Sequence, residues 1–319
     1  MKLNELAVRD PQHVMVFGES GSGKSTLVSQ LAHKFHLVWI SCDNGHSVLY
    51  KLPPEVQENI DIIVIPDTRD APFAYDTVKK LLKGSRTEVC HMHGVVNCST
   101  CKKHELEFST YEFNALDPAK DIVVIDHMTS VSDSCKNIIT KGKPEDYKLQ
   151  LDDWGSLRFF MTNLLKDIQA ARFNIVCISQ AEEVMMEDKS KKLNPAIGSS
   201  EFTKLTGQYF DHIIFTNIMN RSHKAGSSTT YQTNVITKSR FDIAVETMTE
   251  PSVVPFFDGT HKPKVEIGQQ HVKLITHIAH ETSSSASAAQ ATATETAKPV
   301  GTAGTSSLLE KLKQKGLAK

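Results

Sequence analysis

The chain contains 319 residues, of which 39% are hydrophobic and 23% charged, a composition typical of one large or two small globular domains. The 36 lysines and arginines nearly balance the 37 aspartates and glutamates, and the net charge of −1 excludes a strongly basic protein but not a local basic patch. No stretch approaches the ~20 apolar residues of a membrane span, and residues 1–12 lack the apolar centre of a signal peptide, so we expect a cytoplasmic protein.

Most of the chain up to residue 237 consists of short apolar runs that alternate with segments whose apolar residues have helical spacing. The run at 121–125 contains hardly a polar residue, and residues 154–171 repeat apolar side chains every three to four positions. Continuous apolar strands that alternate with helices are typical of a parallel sheet covered on both faces, so the predicted fold class is α/β. In chain order the predicted elements are strand 13–17, helix 24–35, strands 37–41 and 60–65, helix 72–83, strand 121–125, helix 154–171, and strands 174–178, 212–216 and 230–237.

Two segments fall outside this alternation. Residues 87–110 carry a cysteine–histidine cluster and are predicted to be an insertion in a domain that spans 1–281. Residues 282–307 consist mainly of Ser, Thr, Ala and Gly, which bury too little apolar surface to offset the entropy of ordering, so we expect a disordered linker. Residues 308–319 place leucines among lysines, and this amphipathic basic tip is a candidate peptide for docking on a partner protein or on DNA.

A glycine-rich sequence follows the first predicted strand and opens the first predicted helix. It matches the pattern G-x-x-x-x-G-K-[ST] in full, in the structural context that this phosphate-binding motif requires. Its backbone N–H groups can surround phosphate oxygens, Lys24 can reach the β- and γ-phosphates, and Ser25 can offer a hydroxyl to Mg²⁺. The alternative is a glycine-rich turn that binds nothing. The predicted nucleotide-binding residues are Gly18, Glu19, Ser20, Gly21, Ser22, Gly23, Lys24, Ser25 and Thr26.

A second magnesium ligand is expected at the carboxyl end of another strand. Asp126 follows the apolar run 121–125 and would emerge at the edge where open α/β sheets bind ligands. The alternative is an aspartate that caps the strand. Asp121 starts the same strand and would lie at the opposite end. The sequence has no Asn-Lys-x-Asp guanine-binding motif, which favours ATP over GTP, and it lacks the arginine-rich lid that a small-molecule kinase would need.

The predicted insertion contains closely spaced thiols and imidazoles. Cys98 and Cys101 have the spacing of a metal-binding turn, and Cys90 with either His93 or His104 would complete four ligands. Thiolate and imidazole together favour a structural Zn²⁺ in a closed tetrahedral site, and a metal would help to order a segment with few large apolar residues. The alternatives are a polar loop with incidental thiols and a redox dithiol, for which no thioredoxin-like context is present.

These motifs resemble those of the RecA-like ATPase core over roughly residues 10–245. The resemblance is to the compact phage-encoded members, which include AAA-type nucleotide-binding proteins and Sak-type single-strand annealing proteins. Gly18–Thr26 resembles the Walker A motif, and Ile122–Asp126 resembles the Walker B motif. The resemblance implies a RecA-like fold, Mg²⁺-dependent ATP hydrolysis, an action on nucleic acid in phage recombination, annealing or replication, and a location in the host cytoplasm.

Four further residues take their expected roles from this resemblance. Asp43 stands where these ATPases keep the carboxylate that orients the attacking water. Gln180 stands where a strand-end polar residue senses the γ-phosphate. Lys238 and Arg240 resemble the cation pair that reaches the nucleotide of a neighbouring subunit, which implies a homo-oligomeric ring or filament. The alternative interpretations are a turn aspartate, a loop glutamine and a surface charge pair.

Single-stranded DNA is the expected partner. The segments after Asp126 and after Gln180 correspond to the loops with which RecA-like recombinases hold DNA, and flexible cations suit contacts to a phosphate backbone. Solvated surface lysines are the alternative. A rival hypothesis, which the near-zero net charge favours, is an ATP-dependent assembly switch that acts on another protein without contacting DNA. The candidate cations are Lys136, Lys141 and Lys143 in the first segment, and Lys189, Lys191 and Lys192 in the second.

Overall fold

The computed structural model describes residues 11–185, 191–219, 232–239 and 253–257. Within them the strands are β1 (His13–Gly18), β2 (His36–Ser41), β3 (Ile60–Val64), β4 (Thr87–Cys90), β5 (Phe108–Tyr111), β6 (Asp121–Asp126), β7 (Asn174–Met185), β8 (Lys191–Pro195), β9 (His212–Met219) and β10 (Gln232–Ser239). The helices are α1 (Lys24–Ser29), α2 (Pro54–Gln57), α3 (Ala74–Leu82), α4 (Ser99–Lys103), α5 (Met128–Ile139), α6 (Leu151–Ala170) and α7 (Ser200–Thr206).

Eight of the described strands form one mostly parallel sheet. Its order is β10-β9-β1-β7-β6-β2-β3, and β8 pairs with an extension of β7. The strands from β9 to β3 run parallel, whereas β10 pairs antiparallel with β9. In the sheet β1 lies between β7 and β9, although β2 follows it in the chain. The loop after β1 therefore opens where the strand order changes direction, the position at which open α/β sheets bind ligands.

The central strands carry apolar side chains on both faces. Val123 and Ile125 belong to a core that includes residues of α3, α5 and α6. Ile122 and Val124, which alternate with them, belong to a second core that includes residues of α1. Because both faces are covered, β6 needs no polar position in its interior, which explains its continuous apolar sequence.

The predicted α/β class and mostly parallel sheet are confirmed, whereas several element boundaries differ. The predicted helix 24–35 is α-helical over Lys24–Ser29 and then tightens into a 3-10 turn over Gln30–His33. The predicted strand 174–178 continues to Met185, because its second half pairs with β8 in an antiparallel hairpin. The predicted linker 282–307 and basic tip 308–319 lie outside the described residues.

The predicted insertion has a small structure of its own. β4 and β5 form a separate two-stranded antiparallel sheet, and α4 lies between them in the chain. Val89 and Val96 of this segment are buried in the core that includes α3. The insertion is therefore attached to the main sheet by apolar contacts. None of the described helices combines the length and the apolar composition that crossing a membrane requires.

The packing of α6 against the sheet gives a prediction of stability. Leu164 is fully buried, whereas Leu151 at the start of the same helix is 87% exposed. We expect Leu164→Ala to lower the free energy of unfolding by about 2–5 kcal/mol, because it removes apolar contacts and leaves a cavity. Leu151→Ala, the matched control, should change it by less than about 0.5 kcal/mol. Urea denaturation followed by circular dichroism measures both, and equal losses would contradict this orientation of α6.

Candidate nucleotide-binding site and cysteine–histidine cluster

The glycine-rich loop joins the end of β1 to the start of α1. Gly21 and Gly23 have φ angles of 75° and 86°, which glycine adopts without strain. A Cβ atom on Gly18 would lie 2.3 Å from the carbonyl oxygen of Thr216 on β9, so this position admits no side chain. Ser22 Oγ and Thr216 Oγ1 are 2.7 Å apart. The neighbouring strand thus holds the loop in place.

Lys24 is buried at the start of α1. Its Nζ atom donates hydrogen bonds to the carbonyl oxygens of Gly18 (3.0 Å) and Glu19 (2.8 Å), and 7% of the residue is exposed. Burial lowers the pKa of Lys24, while the negative charges of Asp126 and Asp43 act in the opposite direction. The ammonium group therefore lies across the loop, where phosphate oxygens can replace the carbonyl oxygens as acceptors.

Asp126 ends β6 at the same edge of the sheet. The hydroxyl Oγ of Ser25 lies 3.5 and 3.3 Å from its two carboxylate oxygens, and 1% of Asp126 is exposed. The residue is fixed by strands on both sides, since it pairs with Ser41 of β2 and Ile178 of β7. A hydroxyl and a carboxylate beside a phosphate-binding loop form a donor set that suits Mg²⁺.

The carboxyl group of Asp126 is difficult to ionise in the nucleotide-free protein. Burial and, secondarily, the negative charge of Asp43 raise its pKa to about 7, against the opposing effects of Ser25 and Lys24. A divalent cation would neutralise a buried carboxylate whose charge is incompletely balanced. The residues present therefore fit a magnesium ion held by Ser25 and Asp126.

Asp43 follows β2 at this edge. Its Oδ1 atom accepts a hydrogen bond from the N–H of Gly45 (2.7 Å) and caps the 3-10 turn Asn44–Lys51. Gly45 also approaches Asp126, because a Cβ atom there would lie 3.1 Å from Oδ2 of Asp126. The exposed carboxylate of Asp43 thus stabilises a turn, as the alternative interpretation of this residue predicts. It also lies near the buried carboxylate of Asp126.

Gln180 lies on β7 next to the glycine-rich loop. Its Cα atom pairs with that of Gly18, and its N–H donates to Thr129 Oγ1 (3.2 Å). Thr129 Oγ1 also lies 3.2 Å from Ser179 Oγ. The side chain of Gln180 is exposed. This set of hydrogen bonds connects the strand beside the loop to the first turn of α5.

Sequence reasoning missed several residues at this edge. Gly45 had a local signal in the Asp-Asn-Gly turn, but Thr129 and Thr216 reach the site from separate elements and have none. His127, which follows Asp126, is 5% exposed. Burial lowers the pKa of His127 to about 4, so its imidazole is neutral at pH 7 and adds no positive charge.

Lys238 lies away from the nucleotide loop of its own chain. It pairs with Ile213 near the amino-terminal end of β9, whereas Gly18, where the loop begins, pairs with Thr216. This register places the Cα atom of Lys238 about 10 Å along the strands from the loop edge. Arg240 lies outside the described residues. Their contact with the nucleotide of a neighbouring subunit stays a prediction.

The segments expected to form DNA-holding loops contain regular structure. The residues after Asp126 form α5, so the prediction of a loop directly after this aspartate is wrong. The polar sequence of α5 conceals a buried face that includes Met128, Val131 and Cys135. After Gln180 comes the β7–β8 hairpin. Of the candidate cations in the first segment, Lys136 pairs with Asp133 on α5 at 2.9 Å, and Lys141 and Lys143 are exposed after this helix. Of those in the second segment, Lys191 and Lys192 lie on β8, and Lys189 lies outside the described residues.

The insertion brings four of its predicted metal ligands together. The Nδ1 atom of His93 lies 3.2 Å from the Sγ atom of Cys101, 3.6 Å from that of Cys98 and 3.9 Å from that of Cys90. All four atoms lie within 4.8 Å of one another. His104 is exposed and does not belong to this group. The structure therefore groups His93, and not His104, with the three cysteines.

Asp126 gives a prediction of pH-dependent stability. Because its pKa is raised from 3.8 to about 7 on folding, ionisation opposes folding from about pH 4 upward, and the penalty is constant above about pH 7. We expect Asp126→Asn to raise the unfolding free energy of the nucleotide-free protein, with a gain that grows over this interval to at most about 4 kcal/mol. Thermal unfolding without Mg²⁺ at about pH 5 and about pH 8 measures this gain.

The control for this measurement is Asp70→Asn, which alters an exposed carboxylate. It should change the stability little at either pH. A gain from Asp126→Asn that is the same at both pH values would show that the native carboxyl group titrates normally, and would contradict the prediction.

A model of the AAA domain family AAA_24 matches residues 10–241. No curated protein matches the sequence. Similar solved structures include the KaiC-like protein PH0186 from the hyperthermophilic archaeon Pyrococcus horikoshii OT3, with 10% identity, coverage of 72% of this chain and 79% of that chain, and a TM-score of 0.36. They also include the flagellar accessory protein FlaH from Methanocaldococcus jannaschii, with 12% identity, the same coverage and the same TM-score of 0.36.

The family match and the motifs cover the same part of the chain. The matched residues include the glycine-rich loop, Asp126 and the parallel strands that bring them together. This chain belongs to the AAA domain family and carries its glycine-rich loop at the edge of a mostly parallel α/β sheet.

Proposed function

We propose that this protein binds and hydrolyses Mg-ATP, and that hydrolysis drives an action on single-stranded DNA. The convergence of Lys24, Ser25 and Asp126 at the glycine-rich loop carries the first part of the proposal. Membership in the AAA domain family supports it. The absence of a guanine-binding motif in the sequence favours ATP over GTP.

Each side chain has a distinct task in this proposal. Lys24 supplies positive charge to the β- and γ-phosphates, and Ser25 and Asp126 hold the magnesium ion. When bound, this ion neutralises charge on the phosphate oxygens. Asp43 orients the attacking water, for which its exposed position near Asp126 is suitable. Gln180 senses the γ-phosphate and passes its presence to α5 through the backbone hydrogen bond to the first turn of that helix.

Removing the buried ammonium group tests the proposed ATPase. We expect Lys24→Ala to lower the rate of ATP hydrolysis by about 100-fold or more, because no other cation of the loop can balance the phosphate charge. Lys34→Ala removes an exposed lysine shortly after α1 and serves as the matched control. Phosphate release and binding of a fluorescent ATP analogue provide the measurements. A folded Lys24→Ala protein with undiminished affinity and turnover would contradict the proposal.

The segment between α5 and α6 supports the second part of the proposal. Arg69, which follows β3, donates to the carbonyl oxygens of Lys143 (3.4 Å) and Pro144 (2.9 Å) and so holds this segment near the carboxyl end of the sheet. Lys141 and Lys143 are exposed, and Lys143 Nζ lies 5.2 Å from the ring centroid of Tyr147. Cations beside an aromatic ring offer contacts to a phosphate backbone and to a base.

The salt dependence of DNA binding tests this surface. We expect the double variant Lys141→Ala/Lys143→Ala to bind single-stranded DNA more weakly and to reduce the slope of log K against log salt by about 1.4, since each phosphate contact on a single strand contributes about 0.7. The control Lys34→Ala/Lys120→Ala removes two exposed lysines from the opposite edge of the sheet. Fluorescence anisotropy at several salt concentrations measures the slope. An equal reduction by both double variants would contradict this location.

The assembly switch is the second candidate function. Glu145 and Asp146 are exposed within the same segment as Lys141 and Lys143, and this mixture of charges suits a protein partner as well as a nucleic acid. The ATPase rate with and without single-stranded DNA, at two salt concentrations, separates the two candidates. Stimulation that falls with salt supports the action on DNA, whereas a rate that does not respond to DNA supports the switch.

The oligomeric part of the proposal concerns Lys238 and Arg240. The register of Lys238, away from the loop of its own chain, is compatible with a role toward a neighbouring subunit. We expect mixtures of wild-type and Arg240→Ala protein to hydrolyse ATP at rates that deviate from proportionality to the wild-type fraction, because each site would depend on two chains. A strictly proportional rate would refute the role in trans.

A further inference from the structure

We propose that Cys90, His93, Cys98 and Cys101 bind one Zn²⁺ ion in a closed tetrahedral site that orders the insertion. These residues belong to the segment between α3 and β6, and none of them takes part in the nucleotide site. The proposal therefore stands independently of ATP hydrolysis and of DNA binding.

The distances among the ligand atoms match tetrahedral zinc. Zinc lies about 2.3 Å from a cysteine sulfur and about 2.0 Å from a histidine nitrogen, so tetrahedral geometry requires sulfur–nitrogen separations of about 3.5 Å. The three separations between His93 Nδ1 and the sulfurs are 3.2, 3.6 and 3.9 Å. The ligand atoms are thus spaced as they would be around a common central ion.

Ordinary hydrogen bonding does not explain this arrangement. A neutral imidazole Nδ1 atom carries either one proton or one lone pair, so it can satisfy one of the three sulfurs. All three cysteines are free thiols, which also excludes a disulfide between Cys98 and Cys101 in this structure. Cys90 and Cys101 are almost completely buried, at 1% and 0% exposure. Three thiols, two of them buried, and one partly exposed imidazole that converge on one point are a donor set suited to zinc.

The local fold brings the ligands in as two pairs. Cys90 ends β4 and His93 lies in the turn that follows, where the N–H of Gly94 donates to the carbonyl oxygen of Cys90 (3.0 Å). Gly94 has a φ angle of 60°, and a Cβ atom there would lie 2.2 Å from the carbonyl oxygen of Val64. Cys98 and Cys101 lie at the start of α4. The turn is therefore pressed against the end of β3, and the helix closes the site from the other side.

The four protein ligands fill a tetrahedral coordination sphere. No position is left for a water molecule or a substrate, so the ion has a structural and not a catalytic role. Outside the ligands, Val89 and Val96 are the residues of 87–97 that join the apolar core. The metal is thus the main source of order for the outer part of the insertion, and its loss should loosen this part while the large sheet persists.

Metal analysis of the full-length protein tests the site. We expect about one zinc per chain in the wild type, at least a tenfold lower content in His93→Ala and Cys101→Ser, and an unchanged content in the controls His104→Ala and His91→Ala. A wild type without zinc after growth in zinc-supplemented medium would overturn the proposal, as would bound iron with sulfide. Zinc loss in His104→Ala with retention in His93→Ala would overturn the ligand assignment.

A second measurement keeps the test valid if the variants fail to fold. Zinc is removed from the wild-type protein with a chelator, and Co²⁺ is added back. We expect the intense visible absorption of tetrahedral thiolate-bound cobalt, and we expect the chelated protein to be cut by trypsin at Lys102 or Lys103 at least tenfold faster than the metal-loaded protein. A weak octahedral cobalt spectrum, or cleavage rates that do not depend on metal, would overturn the proposal.

Discussion

The candidate nucleotide site depends on two charged groups of opposite sign that the fold buries. Lys24 and Asp126 are both nearly inaccessible to solvent, and burial opposes the charged form of each. Their mutual attraction offsets part of this cost, while the negative charge of Asp43 favours the charged form of Lys24 and opposes that of Asp126. The protein groups alone therefore leave both charges incompletely balanced. A polyphosphate would bring negative charge to Lys24, and a divalent cation would bring positive charge to the two carboxylates. Each ligand would therefore favour the binding of the other.

The parallel sheet is what makes this concentration of charge possible. β1 ends in the glycine-rich loop, β2 leads to Asp43, β6 ends in Asp126, and β7 carries Gln180 beside Gly18. Because these four strands run in the same direction, their carboxyl ends meet at one edge, while two apolar cores hold their interiors. The positions of these four strands are thus fixed by apolar residues that lie away from the site. Gly18 shows how closely the two are connected, since its contact with Thr216 joins the loop directly to β9.

The sequence was informative where structure depends on neighbouring residues and misleading where it depends on distant ones. The glycine-rich loop and β6 were predictable because their patterns are local and continuous. The helix α5 was not, since its polar residues conceal a buried face that only packing against α3 and α6 reveals. The β7–β8 hairpin was missed because the pairing partner decides its length. Thr129 and Thr216 border the site through the fold alone, and the register of Lys238 could not be read without knowing that β10 runs antiparallel.

The cysteine–histidine cluster shows the same limit on a smaller scale. The spacing of Cys98 and Cys101 indicated a metal site, but His93 and His104 are both near enough in sequence to complete it. The geometry of α4 decides between them. Cys98 directly precedes α4 and Cys101 lies in its first turn, whereas His104 follows its carboxyl end and is exposed to solvent. His93 instead lies in the turn that follows Cys90 at the end of β4, and the contact of Gly94 with β3 holds that turn against the sheet. The choice of ligand thus follows from where a helix ends and where a glycine meets a strand, and neither is visible in the spacing of the ligands themselves.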